Sequence, residues 1–154
     1  MKSLFSLFLL AIAIAACKGP KEDSPLDAAF SPSEEHVEKI NTACFLYFGE
    51  KDTVRLKTLI DGTTVTGTLD YAFFEKDKNS GTIEGEIRGD MLIAEYTFLS
   101  EGVTSKRQVV FKNTAEGWKE GYGEMKSVGD IPVQANIDSL DYSHPMVLSP
   151  SPCD

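Results

Sequence analysis

From Val65 to Phe111 the sequence runs through four apolar stretches of strand length, separated by clusters of turn-forming residues. The first stretch shows the rule most plainly. Val65, Gly67, Leu69, Tyr71 and Phe73 fall on one face and Thr66, Thr68 and Asp70 on the other, the two-residue period of a strand with one wet side. Upstream, Cys44 to Phe48 and Thr53 to Ile60 read as strands, joined through Gly49-Glu50-Lys51-Asp52, and Asp61-Gly62 turns the second into Val65. Downstream, the Asn113 to Gly117 turn leads into a strand from Trp118 to Glu124. Pro132 and Pro145 interrupt the segment from Ile131 to Val147, which reads as edge-like or irregular because proline cannot donate to a ladder. The expected class is all-β: a single antiparallel meander closing into a small barrel of about eight strands, or a strongly curled sheet.

Register follows from the turns. Gly89-Asp90 suits a two-residue II′ or I′ hairpin, and closing it with Arg88 opposite Met91 pairs Ile87 with Leu92, Gly85 with Ala94 and Ile83 with Tyr96. Glu84 and Glu86 then meet Glu95 and Ile93 on the other face. If the Glu75 to Ser80 loop sets Phe73 opposite Ile83, Tyr71 covers Gly85, an aromatic filling the gap above a strand glycine. Inward glycines at 67 and 85 let a sheet curl sharply.

The same alternation carries two charges inward. With Tyr96 and Phe98 facing the core and the Ser100 to Thr104 loop closing evenly, Arg107 points inward with Val109 and Phe111. Across the next hairpin Trp118, Glu120 and Tyr122 do the same, which puts Arg107 and Glu120 within diagonal reach. Charges on a core face are costly unless they pair or sit at a solvent-filled mouth. Arg107 and Glu120, with Tyr96, Tyr122 and Tyr71, are therefore the candidate anchor for a ligand headgroup; a structural ion pair, or a slip that turns both charges outward, is the alternative.

Composition narrows the class further. The 154 residues carry 15 Lys and Arg against 24 Asp and Glu, a formal charge of -9, which disfavours a nucleic-acid partner and electrostatic docking on anionic lipid. His36 and His144 have no metal-ligand spacing, and the stretch from Asp77 puts Gly81 and Arg88 where a calcium loop needs oxygen ligands. No catalytic, metal or cofactor motif emerges, so a non-enzymatic role is expected.

The N-terminus reads MKSLFSLFLLAIAIAAC, too short for a membrane span and suited to a signal peptide. Its end, Ile14-Ala15-Ala16-Cys17, resembles the lipobox of bacterial lipoproteins. The resemblance implies cleavage after residue 16, acylation of Cys17 and attachment to a membrane through that lipid. Lys18 in second position differs from the aspartate that resembles an inner-membrane retention signal, which implies outer-membrane delivery, and Lys21-Glu22-Asp23 looks like the export signal of Bacteroidota surface lipoproteins. Lys18 to Phe30 reads as a flexible tether, and Ser31-Pro32-Ser33-Glu34 as a capping box opening a short helix to about Thr42. The expected organisation is signal 1–16, lipidated cysteine and tether 17–42, and β domain 43–154.

Setting Cys17 aside leaves Cys44 and Cys153, whose number in an exported chain favours a disulfide, free thiols being the alternative. The stretch GTLDYAFFEKDKNSGTIEGEIRGDMLIAEYTFLSEG resembles small Bacteroidota lipoproteins built on one β-barrel, and in outline a lipocalin-type barrel, although the lipocalin Gly-x-Trp is missing and Trp118 comes late. The barrel also resembles lipoprotein lysozyme inhibitors without their Ser-Ala-Ser-Gly-like loop, so neither activity carries over. The expected function is a lipid-anchored envelope protein binding a small or lipidic ligand. The alternative is an interaction module binding an envelope protein through outer-face Met91, Ile93 and Leu99.

Overall fold

Ten strands and one 3-10 turn make up residues 40–153, the residues described by the structure, a computed structural model. The signal segment, Cys17, His36 and most of the helix expected from Pro32 lie outside the described residues. The end of that helix is corrected: Asn41 and Thr42 already belong to the first strand, because Asn41 to Phe48 pairs along its whole length with Thr53 to Ile60.

A sheet of eight strands runs in the order β10-β1-β2-β3-β4-β5-β6-β7. Seven are consecutive hairpin partners: β1 (Asn41–Phe48), β2 (Thr53–Asp61), β3 (Thr64–Ala72), β4 (Asn79–Arg88), β5 (Met91–Ser100), β6 (Val103–Thr114) and β7 (Gly117–Glu120). The eighth, β10 (Ser149–Ser151), comes back from the C-terminus to pair with β1. The outcome is the expected all-β meander, an eight-stranded sheet nearly closed into a barrel with one unsealed seam. At that seam Leu148 exchanges two backbone hydrogen bonds with Trp118, of 3.0 and 2.9 Å, and Phe45 meets the Trp118 ring edge-on at 6.3 Å.

Alternation decides the core. Val54 and Leu56, Val65 and Leu69, Ile83, Leu92 and Tyr96, and Val109 and Phe111 are buried on the inward face and fill the middle of the barrel. Gly67 and Gly85 let the strands approach closely enough to curl; an added Cβ would overlap the carbonyl oxygen of Lys57 at the first and of Ile93 at the second.

The β4–β5 register matches the sequence reading pair by pair, from Arg88 opposite Met91 to Ile83 opposite Tyr96. Gly89 has φ 61° while Asp90 is not in the left-handed region, the II′ pattern. The β3–β4 register needs correction. Gly67, not Phe73, faces Ile83, so Val65 lies over Gly85 and Tyr71 is opposite Asn79. The displacement is an even number of residues, so every inward residue stays inward.

Beyond Glu120 the chain leaves the sheet, so the strand expected to reach Glu124 is shorter. It forms a separate hairpin of β8 (Met125–Val128) and β9 (Ile131–Gln134), then a 3-10 turn at Ile137–Ser139. Met125 opposes Gln134 and Val128 opposes Ile131, so Pro132 sits on an edge strand of a two-stranded sheet, in line with the edge-like alternative read from its prolines. The Gln134 amide donates to Gln108 Oε1, and the Tyr142 hydroxyl comes within 4.0 Å of Met91 Sδ. This returning segment covers the outer face of β5 and β6. Outward Ile93 is only 8% exposed and Met91 is partly buried, which corrects their expected exposure; Leu99 remains exposed.

Cys44 and Cys153 form a disulfide across a sequence separation of 109 residues, with Cα atoms 5.3 Å apart. It holds the C-terminus against β1 at the closing strand. For a loop of this length the chain-entropy account gives about 4.7 kcal/mol of stabilisation. Replacing both cysteines with serine is expected to lower the unfolding free energy by several kcal/mol; an unchanged denaturant midpoint would show that the seam holds without it.

Candidate functional site

Four polar side chains meet at the barrel end where β6 begins and β7 stops. Arg107 lies opposite Tyr96 on β5, and Glu120, the last residue of β7, lies opposite Phe111. Because β7 ends there, Arg107 has no β7 residue beside it and reaches along the barrel to Glu120, Nη1 to Oε1 at 3.1 Å. The second carboxylate oxygen, Oε2, accepts from the Tyr71 hydroxyl at 2.8 Å and the Tyr122 hydroxyl at 2.9 Å. Glu120 thus accepts from three donors with its side chain 2% exposed, while the Arg107 side chain is 30% exposed.

The aromatic residues around the pair complete the geometry. The guanidinium carbon lies 5.5 Å from the Tyr71 ring centre and 5.7 Å from that of Tyr96, so the cation is flanked by two π faces. Tyr96 stacks on Phe98 at 4.7 Å, and Tyr71 touches Tyr96 and Phe73. Tyr71, Tyr96, Tyr122, Arg107 and Glu120, all expected from sequence, therefore come together at one place. Four are hydrogen-bonded to one another. Tyr96 differs: its residue is fully buried and its hydroxyl has no partner. Asn79, opposite Tyr71, likewise has a buried side-chain oxygen without a partner.

Asn79 is not legible as a site residue in the sequence, because Asp77-Lys78-Asn79-Ser80-Gly81 reads as a turn cluster. The signal available was the two-residue period itself, which extends back from Ile83 through Gly81 to Asn79. Also unanticipated was a cleft of about 600 Å³ beside the pair, bounded by Phe98 and the β6 residues Thr104 to Arg107 on one side and by Met125 and Asp130 to Pro132 on the other. It exists because β7 is short and β9 does not take its place in the sheet.

Burial sets the proton chemistry. It pushes the Tyr71 hydroxyl well above its ordinary pKa, and the adjacent Glu120 carboxylate pushes the same way. Burial also raises Tyr96 and Tyr122. For Arg107 burial works against the cation, but Tyr71 and Glu120 outweigh it and the pKa ends above the usual value. Near neutral pH the three tyrosines are therefore neutral and Arg107 is a cation. Among the described residues no group of His, Cys, Asp and Glu is placed to hold a metal ion. Comparison with known protein families, with curated proteins and with solved structures finds no match to this chain.

Two outcomes are expected. Arg107→Ala strands a buried carboxylate and should cost about 3–5 kcal/mol. The double change Arg107→Met with Glu120→Leu should recover only part of this, because the buried Tyr71 hydroxyl then loses its acceptor, at about 1–3 kcal/mol. Adding Tyr71→Phe should restore most of the remainder; denaturant titration of the three variants checks it.

The second concerns alkaline pH. Folded tyrosines with raised pKa favour the neutral hydroxyl, so their contribution is whole below the unfolded value of about 10 and is lost as pH rises toward the folded value. Stability should therefore fall above about pH 10, by about 1.4 kcal/mol per pH unit for each buried tyrosine. Unfolding curves across that range, compared between wild type and Tyr96→Phe, should show a shallower fall in the variant.

Proposed function

We propose that the chain is a lipid-anchored protein of the cell envelope, held to the membrane through Cys17, whose β domain binds a small or lipidic ligand at the open end of the barrel around Arg107. Tyr96 carries the reading. Buried polar groups nearly always have partners, and an orphan marks a place for a ligand or an ordered water. Here the orphaned hydroxyl belongs to a ring whose centre lies 5.7 Å from the Arg107 guanidinium carbon, and Arg107, partly exposed and bonded to Glu120 through Nη1, lines a cleft that Tyr96 itself does not reach. Glu120 and the two tyrosines that donate to it hold the arginine in place before anything binds.

The anchoring half rests on the signal-like N-terminus ending in Ala15-Ala16-Cys17. The Cys44–Cys153 disulfide is in keeping with it, since such bonds persist in oxidising compartments outside the cytosol. The cleft of about 600 Å³ falls within the range of small-ligand sites, roughly 300–1,000 Å³. The alternative of an envelope protein bound on the outer face at Met91, Ile93 and Leu99 has less support, because the returning C-terminal segment occupies much of that surface.

The test is made on protein extracted from its own membrane. Cys17→Ala should leave the chain in the soluble fraction after a salt wash. Native mass spectrometry of the wild type should show a retained small molecule that Tyr96→Phe loses, while the variant is as stable as wild type or more so, having shed an unpartnered buried hydroxyl worth about 1–3 kcal/mol. A wild type free of any retained mass under gentle extraction would count against the binding site. A membrane-bound Cys17→Ala would count against the anchor.

A further inference from the structure

The two ends of the barrel differ in character. At the end that carries Arg107, the β1–β2 turn, the β3–β4 loop and the β5–β6 turn all emerge, and the β8–β9 tip joins them, since Asp130 to Pro132 line the same cleft as Thr104 to Arg107. Each presents a large apolar side chain to solvent: Phe48 is 78% exposed, Phe74 49%, Leu99 54%, Val103 63% and Val128 60%. The turns at the opposite end, at 61–63, 88–90 and 115–116, have none, and the one strongly exposed apolar residue there among the described residues is Ile40, 59% exposed, where the described chain begins. Scattered exposed apolar residues need no explanation, but one on every tip of a single end does.

We infer that this apolar-tipped end docks on a lipid bilayer, turning the mouth of the barrel toward the membrane surface. The inference rests on the lipid-anchored reading above and adds an orientation to it. Three observations favour lipid over a protein partner. The apolar residues are spread over four separate tips, with only Leu99 and Val103 sharing one, the β5–β6 turn, a distribution that suits shallow insertion at the headgroup boundary better than a packed protein interface. Lys51 lies 3.6 Å over the Phe74 ring, and the Phe74 amide donates to Asp52 at 2.8 Å, so this aromatic tip is braced while its companion is a cation able to reach headgroups.

The third observation is reach. The described chain begins at Ile40, at the barrel end away from the apolar tips, and Cys17 to Ile40 is 24 residues, about 80 Å at full extension. The ten residues of β5 rise about 34 Å. An anchor at Cys17 therefore leaves length enough to turn the far end of the barrel onto the membrane. A chain of charge -9 gains nothing from anionic lipid, so the contact must be apolar and insensitive to salt. The tips orient the domain; the acyl group supplies the attachment.

The experiment uses the full acylated chain in phosphatidylcholine vesicles that include phosphatidylcholine brominated along its acyl chains, with single Phe74→Trp and Val103→Trp reporters and Glu116→Trp at the opposite end. The native Trp118 signal is subtracted using wild type. The reporters at 74 and 103 should lose at least about half of their emission, as expected for insertion about 5–10 Å into the boundary, at low and at high salt alike. The reporter at 116 should lose none. Vesicle flotation of the same samples separates the two claims. Protein that floats with vesicles while 74 and 103 stay unquenched overturns the docking and leaves the anchor standing; protein that fails to float overturns the anchor and this inference with it. Quenching at 116 alone reverses the orientation, and shielding at 74 that appears only when envelope proteins are added assigns the tips to a protein partner; either result overturns it.

Discussion

Closure at the seam is the constraint on which the rest depends. Seven hairpin-connected strands close on themselves through an eighth, and that strand is only three residues long, Ser-Pro-Ser. Its hold on β1 through Ser149 to Ser151, and that of the preceding Leu148 on Trp118, turns an open sheet with two unpaired edges into a nearly closed one. Trp118 is suited to this place. Its backbone bonds to the closing segment, and its ring, 7% exposed, packs on Phe45 across the gap.

The polar cluster is a second consequence of how the barrel closes. A full-length β7 would have paired the start of β6 and given Arg107 a flanking strand; a β7 ending at Glu120 leaves the arginine at an opening with one carboxylate in reach. Desolvating that carboxylate is unfavourable by itself, and three charge-assisted or hydroxyl hydrogen bonds offset it. The result is a compensated pair in which the guanidinium, flanked by two rings, donates to Glu120 through Nη1. Rigidity matters for recognition, since a guanidinium already fixed loses little freedom when a partner arrives.

Much of this was legible in the sequence, for a physical reason. A strand's two faces are fixed by parity, so inward residues survive any even slip: the β3–β4 register differs by six positions, from Phe73 to Gly67 opposite Ile83, and Tyr71 still reaches the core and Glu120. The Glu75 to Ser80 loop misled because it holds no residue pair that enforces one geometry, whereas Gly89-Asp90 does. The same Gly-Asp pair recurs at Gly129-Asp130, with φ 60° at the glycine, and marks the β8–β9 hairpin; the signal is weak because Met-Lys-Ser-Val offers little alternation and Pro132 leaves only an edge-like strand. β10 could not be read locally at all. Ser-Pro-Ser has no strand propensity, and only the disulfide at Cys153 and the pairing with β1 define it.

The late position of the closing strand also sets an order of events. Each hairpin from β1 to β7 joins neighbours close in sequence and can form as the chain emerges, since short loops close at small entropic cost. The ring cannot be completed until residues 149–153 arrive, because Cys153 follows its partner Cys44 on β1 by 109 residues. Until then β1 and the last strand of the meander both present raw edges, the condition under which β proteins pair with the wrong neighbour. Oxidation of Cys44 with Cys153 therefore records a completed barrel, and a chain cut short by a few residues at its C-terminus would be left as an open sheet with every other strand in place.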